Sequence, residues 1–131
     1  MIDTVIFDLD GVLINSKNIH FEAVNRALSD NKVKYQISYE DHLKNFDGLP
    51  TSKKLKILNA KKLVSKKLNN KIKIRKNKIT RQLLEKNLIY DKKIYNLFKK
   101  LSKKYKIGIA TNAIEETLKI AIKKLKIKSF I

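Results

Sequence analysis

Asp8 and Asp10 stand two residues apart, directly after the apolar run Thr4-Val5-Ile6-Phe7. A short run with β-branched members that stops at a loop reads as a buried parallel strand. In open α/β sheets, ligands bind in the crevice outside the carboxyl ends of the strands. Two carboxylates there can divide the labour, one attacking as a nucleophile while the other faces the leaving group and moves its proton. The same pair suits a hard cation such as Mg2+, which takes oxygen ligands and bridges to phosphate. Gly11 follows at once and lets the chain turn tightly. Taken alone, the pair also fits an acidic surface turn, because Asp is a favoured turn residue.

The elements that must hold this pair follow from periodicity. Beyond Ile19 the spacing changes: Phe21, Val24 and Leu28 form one stripe of an amphipathic helix, broken at Ser29-Asp30-Asn31. Residues 38–45 predict another helix, with Ser38 as N-cap and Asp41 at the capping-box position. Gly48 and Pro50 mark a loop over residues 45–52. The Lys-rich stretch 53–87 predicts two or three helices interrupted near Asn69-Asn70, with the register between Ile72 and Ile74 open. Ile94, Leu97, Phe98 and Leu101 give a further helix, and 106–110 a second buried strand ending at Thr111-Asn112. Ile114, Leu118, Ile122 and Leu125 complete a last helix, with Glu115 and Glu116 where the macrodipole favours anions. Strands followed by helices imply parallel crossover units, with a long helical insertion after the first strand.

The string from Val5 through Asp8-Leu9-Asp10-Gly11 to Asn15-Ser16 closely resembles motif I of the haloacid dehalogenase superfamily of aspartate-nucleophile phosphatases and phosphomutases. Ile107-Gly108-Ile109-Ala110-Thr111-Asn112 resembles its motif II, a hydrophobic strand ending in a hydroxyl residue. The resemblance implies an α/β fold, an incomplete Rossmann-like core with a helical cap inserted after the first strand. Residues 1–15 and 89–131 would belong to the core and 16–88 to the cap. It further implies that Asp8 is the nucleophile forming an aspartyl phosphate and Asp10 the general acid/base. Asp8 and Asp10 would also bind Mg2+, while Thr111 and Asn112 hold phosphate at a helix N-terminus.

Weaker similarities lie in the insertion. His20 stands where sugar-phosphate mutase-like members often carry His, although a hinge or helix-end His without chemistry fits as well. Asn45-Phe46-Asp47-Gly48-Leu49-Pro50 is similar to a cap loop that reads the substrate, which singles out Gly48. Arg75-Lys76-Asn77 is similar to a basic cap segment that reaches distal groups of the substrate, Lys76 competing with a reading as one more exposed lysine. Thr51 occupies a position where β-phosphoglucomutases have Arg, which counts against that specificity. His42, Tyr35 and Tyr39 read as packing or surface residues.

Composition bounds the alternatives. The 131 residues make about one domain, with 31 Lys+Arg against 12 Asp+Glu and a formal charge of +19. Lys outnumbers Arg 28 to 3, whereas phosphate and base recognition favour Arg. The basicity therefore reads as a solvated lysine surface, and nucleic-acid binding is disfavoured. The chain has no Cys, so neither a disulfide framework nor a thiolate zinc site is available. No apolar run approaches the roughly 18–20 residues of a membrane span, and the acidic N-terminus is unlike a signal peptide. These features predict a cytoplasmic protein with no membrane partner, and the resemblance implies a monomer acting on a small phosphorylated substrate.

After Glu116 there is no acidic residue, so the family's later lysine and acidic pair find no match, and Ser129-Phe130-Ile131 resembles the approach to a third strand. The chain thus reads as an incomplete member, expected to be weakly stable and nearly inactive alone. The leading function is a Mg2+-dependent phosphatase acting on a small metabolite, a sugar phosphate among the candidates. The alternatives are a β-phosphoglucomutase-like mutase, a non-catalytic basic remnant of the family, and a basic binding protein.

Overall fold

The computed structural model describes all 131 residues. It is a mixed α/β chain with one two-stranded parallel sheet and six α-helices. The backbone divides into two compact units, one made of residues 1–16 and 83–131, the other of residues 17–82.

In the first unit, β1 (Thr4–Phe7) and β2 (Lys106–Ile109) pair in parallel from Thr4↔Lys106 to Phe7↔Ile109. Bonds from the Lys106 N–H to Asp3 O and from the Ala110 N–H to Phe7 O, each 2.9 Å, carry the ladder past both ends. Helix α5 (Lys92–Leu101) begins where the Asp91 carboxylate accepts the N–H groups of Lys93 and Ile94 at 2.7 and 3.2 Å. That satisfies two of the donors every helix start leaves open. Its fully buried Phe98 stacks on Phe7 at 4.9 Å, which clamps the helix to the strand that leads to Asp8. Leu97, placed by periodicity on the same face, is 44% exposed and lies at its margin.

Helix α6 (Glu115–Leu125) buries Thr117, Ala121 and Leu125. Of the stripe expected from Ile114, Leu118, Ile122 and Leu125, only Leu125 is fully inside. A row at i, i+4 and i+8 that includes a small residue permits close approach of the helix backbone, and the bulkier isoleucines flank it.

The second unit is all helical. Helix α1 (Lys17–Asp30) buries Ala23, Val24, Ala27 and Leu28 and keeps Phe21 half-buried. The helix expected over 38–45 is instead a short α2 (Tyr39–Asp41), capped by Ser38 Oγ, running into a wide π-turn over His42–Phe46. The Asp47 N–H closes that turn on His42 O at 2.7 Å. His42 and Phe46, four residues apart on the inward side of this turn, are 0% and 1% exposed.

Helices α3 (Thr51–Ala60) and α4 (Asn69–Asn87) follow. The interruption expected near Asn69-Asn70 falls earlier, over residues 61–68, and Asn69 opens α4. The reason is an amide clasp: Asn59 and Asn69 exchange hydrogen bonds of 3.1 and 2.8 Å, and Asn59 Nδ2 also donates to Val64 O at 2.9 Å. Polar side chains that read as a break thus pin two helices together. The open register resolves with Ile72 fully buried and Ile74 61% exposed.

Candidate active site

The first unit brings the two sequence motifs to one edge of the sheet. Because Phe7 pairs with Ile109 in a parallel ladder, the chain leaves β1 at Asp8 and β2 at Ala110-Thr111 on the same, carboxyl, side. Asp8 is exposed, and one of its oxygens accepts the Leu9 N–H at 2.7 Å. Leu9 is fully buried, so this contact ties the carboxylate to an anchored backbone.

The chain then wraps around the Leu9 carbonyl, which receives the N–H groups of Leu13 and Ile14 at 2.9 and 3.1 Å. Gly11 sits at φ +78° with its N–H on Ile14 O at 2.8 Å. That left-handed conformation strains any residue with a Cβ, so the glycine is required by the turn. With Leu13 and Ile14 buried, the loop is a rigid seat. At its end Ser16, 3% exposed, donates its hydroxyl to the half-buried Asp10 carboxylate. Ser16 carries no signal of this role in sequence beyond its place in the motif I string.

On the neighbouring strand, Thr111 Oγ1 accepts the Ala113 N–H at 3.0 Å, forming a tight turn. The hydroxyl proton stays available to an anion, because the contact uses only an oxygen lone pair. Asn112 is exposed in the same turn. Helix α6 starts at Glu115, and Thr111 and Asn112 lie in the turn just ahead of it. Its first turn carries Glu115, whose carboxyl is held below the usual range by a hydrogen bond and charge contact with Lys119 at 2.6 Å.

The donor set decides which cation fits. No group of three or more His, Cys, Asp or Glu that could hold a metal exists in the chain. Asp8 and Asp10 therefore offer a partial oxygen shell. That suits Mg2+, which keeps several waters and is held by one or two carboxylates plus substrate phosphate, and does not suit a closed protein cage.

The residues singled out in the insertion lie in the second unit. His20 Nδ1 is 3.3 Å from Lys76 Nζ. Lys76 is 8% exposed, not one of the surface lysines. Its neighbour Arg75 pairs with Asp30 at 2.5 Å. Gly48 is exposed at φ +76°, and a Cβ there would meet nothing within 4 Å, so its backbone freedom and not space selects glycine.

His42, read from sequence as a packing residue, is fully buried against the rings of Phe21 and Tyr39. Burial pushes its pKa below the usual value, helped by Lys54 and His20, while Asp47 and the nearby Lys17 main chain pull the other way. Lys54 itself is 3% exposed, and burial lowers its amine's pKa. Lys54 lies beside Leu55 and four residues before Leu58 on the buried face of α3, whereas Lys53 and Lys56 are exposed. A shallow concavity of about 440 Å³ along α1, lined by Phe21, Glu22 and Arg26 among others, includes neither His42 nor Lys54.

Comparison with known proteins fits this geometry. A family profile for haloacid dehalogenase-like hydrolases matches residues 5–131, and the chain belongs to that family. Its fold is similar to that of a mutant CbbY from Rhodobacter sphaeroides solved with xylulose-(1,5)bisphosphate. That match has a TM-score of 0.81 and 14% identity over 95% of this chain and 57% of that one. A HAD hydrolase of family IA, variant 3, from Entamoeba histolytica matches with a TM-score of 0.76 and 22% identity over 100% of this chain and 58% of that one. A protein described as a β-phosphoglucomutase from Thermotoga maritima matches at 0.68 and 22% over 99% and 59%. The chain thus spans less than three fifths of the length of these solved relatives. Comparison with curated protein sequences returns no match. No helix is long and apolar enough to cross a membrane.

Proposed function

We propose that this chain carries the nucleophile and phosphate-holding turn of a monomeric Mg2+-dependent phosphatase for a small phosphorylated metabolite. The observation that carries the reading is the parallel pairing of β1 and β2, which sets Asp8 and Thr111 at one sheet edge. One Asp8 oxygen is fixed by the Leu9 N–H, and the other attacks phosphorus. The bond to the leaving oxygen breaks as Asp10 gives that oxygen a proton, leaving an aspartyl phosphate on Asp8. The Asp10 carboxylate then takes a proton from water, and the resulting hydroxide attacks phosphorus to regenerate Asp8.

Ser16 orients Asp10 for both transfers. The Thr111 hydroxyl and the Asn112 N–H donate to non-bridging oxygens of the phosphoryl group as it is transferred. Mg2+, bound through the Asp8 carboxylate and Asp10, would neutralise charge that otherwise keeps a carboxylate from an anionic substrate. The helical unit acts as the cap of the family, with His20, Gly48 and Lys76 as its substrate-facing residues. Such lids exclude water and large polymers, which favours a small substrate.

The similarity to a protein described as a β-phosphoglucomutase supports a second reading, a phosphomutase, in which a substrate hydroxyl and not water attacks the aspartyl phosphate. Incubation with a hexose 1-phosphate and Mg2+ separates the two. Release of inorganic phosphate supports hydrolysis, and formation of the 6-phosphate isomer supports the mutase. Turnover retained in Asp8→Asn contradicts both.

A further inference from the structure

The net charge of the helical unit is confined to one half of its sequence. Residues 17–47 carry five Lys/Arg and five Asp/Glu, whereas residues 48–82 carry 13 Lys/Arg and no Asp/Glu. A lysine surface arising from composition alone would spread over both halves. Lys54 and Lys76 are buried and Arg75 pairs with Asp30, but nine lysines of the second half are exposed. The unit's ion pairs draw on Lys17, Arg26 and Arg75, and on none of these nine. Their density is highest where α3 turns into α4. Lys61, Lys62, Lys66 and Lys67 are all exposed there, with Leu63 37% exposed between them. The turn is held firmly: Asn59 and Asn69 clasp its base, Asn59 binds the Val64 carbonyl, and the Leu63 N–H donates to Leu58 O at 3.0 Å. Further along α4, Ile74 is 61% exposed between the exposed Lys71 and Lys78, which share its helix face at i−3 and i+4.

We propose that the α3–α4 turn and the exposed face of α4 form a docking surface for an anionic lipid bilayer. Lysines gathered without carboxylates repel one another, and a plane of phosphate headgroups relieves that repulsion. Composition selects this polyanion over others. Nucleic-acid recognition relies on arginine forks and aromatic stacking. Residues 48–82 contain no aromatic residue and only two arginines, of which Arg75 is already paired. Protein interfaces likewise favour aromatic and arginine anchors and deplete lysine. Lysine beside exposed aliphatic side chains suits the membrane interface, with ammonium groups at the phosphates and Leu or Ile in the headgroup boundary. A plane needs no cavity, and the clasped turn presents its backbone already ordered. The contact is with a surface only, since no helix is long and apolar enough to cross a membrane. It stands independently of the chemistry assigned to Asp8.

Co-sedimentation of the 131-residue chain with vesicles of equal parts phosphatidylcholine and phosphatidylglycerol, against phosphatidylcholine alone, tests this. Binding to the anionic vesicles only is expected, weakening as added salt screens the attraction. Two variants that each remove four charges separate this face from overall charge. Lys61→Gln, Lys62→Gln, Lys66→Gln and Lys67→Gln together should weaken binding by about fivefold per lysine, and Arg at the same four positions should keep it. Lys92→Gln, Lys93→Gln, Lys99→Gln and Lys100→Gln, all at exposed positions of α5, should cost far less. Ile74→Ser should weaken binding with its salt dependence unchanged, because an apolar contact is lost and no charge. Far-UV circular dichroism checks that each variant keeps its helices. Duplex DNA in a parallel titration represents the competing partner. No binding to anionic vesicles, equal losses in the two four-lysine variants, no loss in Ile74→Ser, or tighter binding to the DNA than to the vesicles overturns the proposal. The readout involves no turnover, so its failure is distinct from a failure at Asp8.

Discussion

The Ser16 hydroxyl donates to the Asp10 carboxylate across the loop that begins at β1 and ends at α1. Ser16 is buried, its partner is half-buried, and the loop between them is held by backbone bonds to the Leu9 carbonyl. The contact therefore fixes where the Asp10 carboxylate points before any substrate arrives.

Removing that donor has a defined cost. Ser16→Ala should destabilise the chain by about 1–3 kcal/mol, because a partly buried carboxylate loses a hydrogen bond that water cannot fully replace. Urea unfolding at neutral pH measures it. Ser16→Thr, which keeps the hydroxyl, should recover most of the loss. Equal stability of Ser16→Ala and the parent would mean that the contact orients nothing.

The Asn59–Asn69 clasp should behave as a coupled unit. Asn59→Ala leaves the Asn69 amide and the Val64 carbonyl without their partner. A loss of about 1–3 kcal/mol is expected. A double-mutant cycle with Asn69→Ala should give a coupling of roughly 0.5–3 kcal/mol, as for residues in one hydrogen-bond network. Additive losses would show that the two amides act separately.

His42 should make stability pH-dependent in one direction. Its pKa in the folded chain lies below the reference value of 6.5, mainly through burial. The unfolded chain therefore binds more protons as pH falls, and stability present above the unfolded pKa is lost as pH drops through the folded one. Unfolding free energy measured in urea should decline between neutral and mildly acidic pH, and His42→Asn should flatten that slope. Lys54 is lowered too, but its window lies towards its reference of 10.5, where stability should rise with pH as the buried amine loses its charge. An identical acid slope in His42→Asn would assign the effect elsewhere.

Much of the first unit was legible in sequence because its signals are local. The run Thr4–Phe7 ends at two aspartates and a glycine, and the strand at 106 ends at Thr111; the parallel register then follows from the crossover rule. What the pattern could not show is long-range. Ser38 does start an α-helix, yet after Asp41 the turn widens, with the Asp47 N–H bonded to His42 O, a change that the side-chain pattern does not announce. Asn69 looked like a breaker, but its amide found Asn59 and made it a clasp. Lys76 stood out in sequence only through its place in a family-like segment and Lys54 not at all, although both share a helical face with buried apolar residues, and the fold buries both. The stripe on α6 was displaced because small residues pack closest, which hydrophobicity alone does not record.

The most direct test concerns the covalent step. Protein incubated with substrate and Mg2+, then quenched with borohydride, should have its acyl phosphate reduced to a homoserine. The first lysine is Lys17, so a tryptic digest isolates residues 1–17 as one peptide for mass spectrometry. If Asp8 accepts the phosphoryl group, homoserine appears at position 8 and is absent from the Asp8→Asn protein. Turnover with no modified residue, or homoserine at position 10 instead, would contradict the assignment of Asp8 as nucleophile.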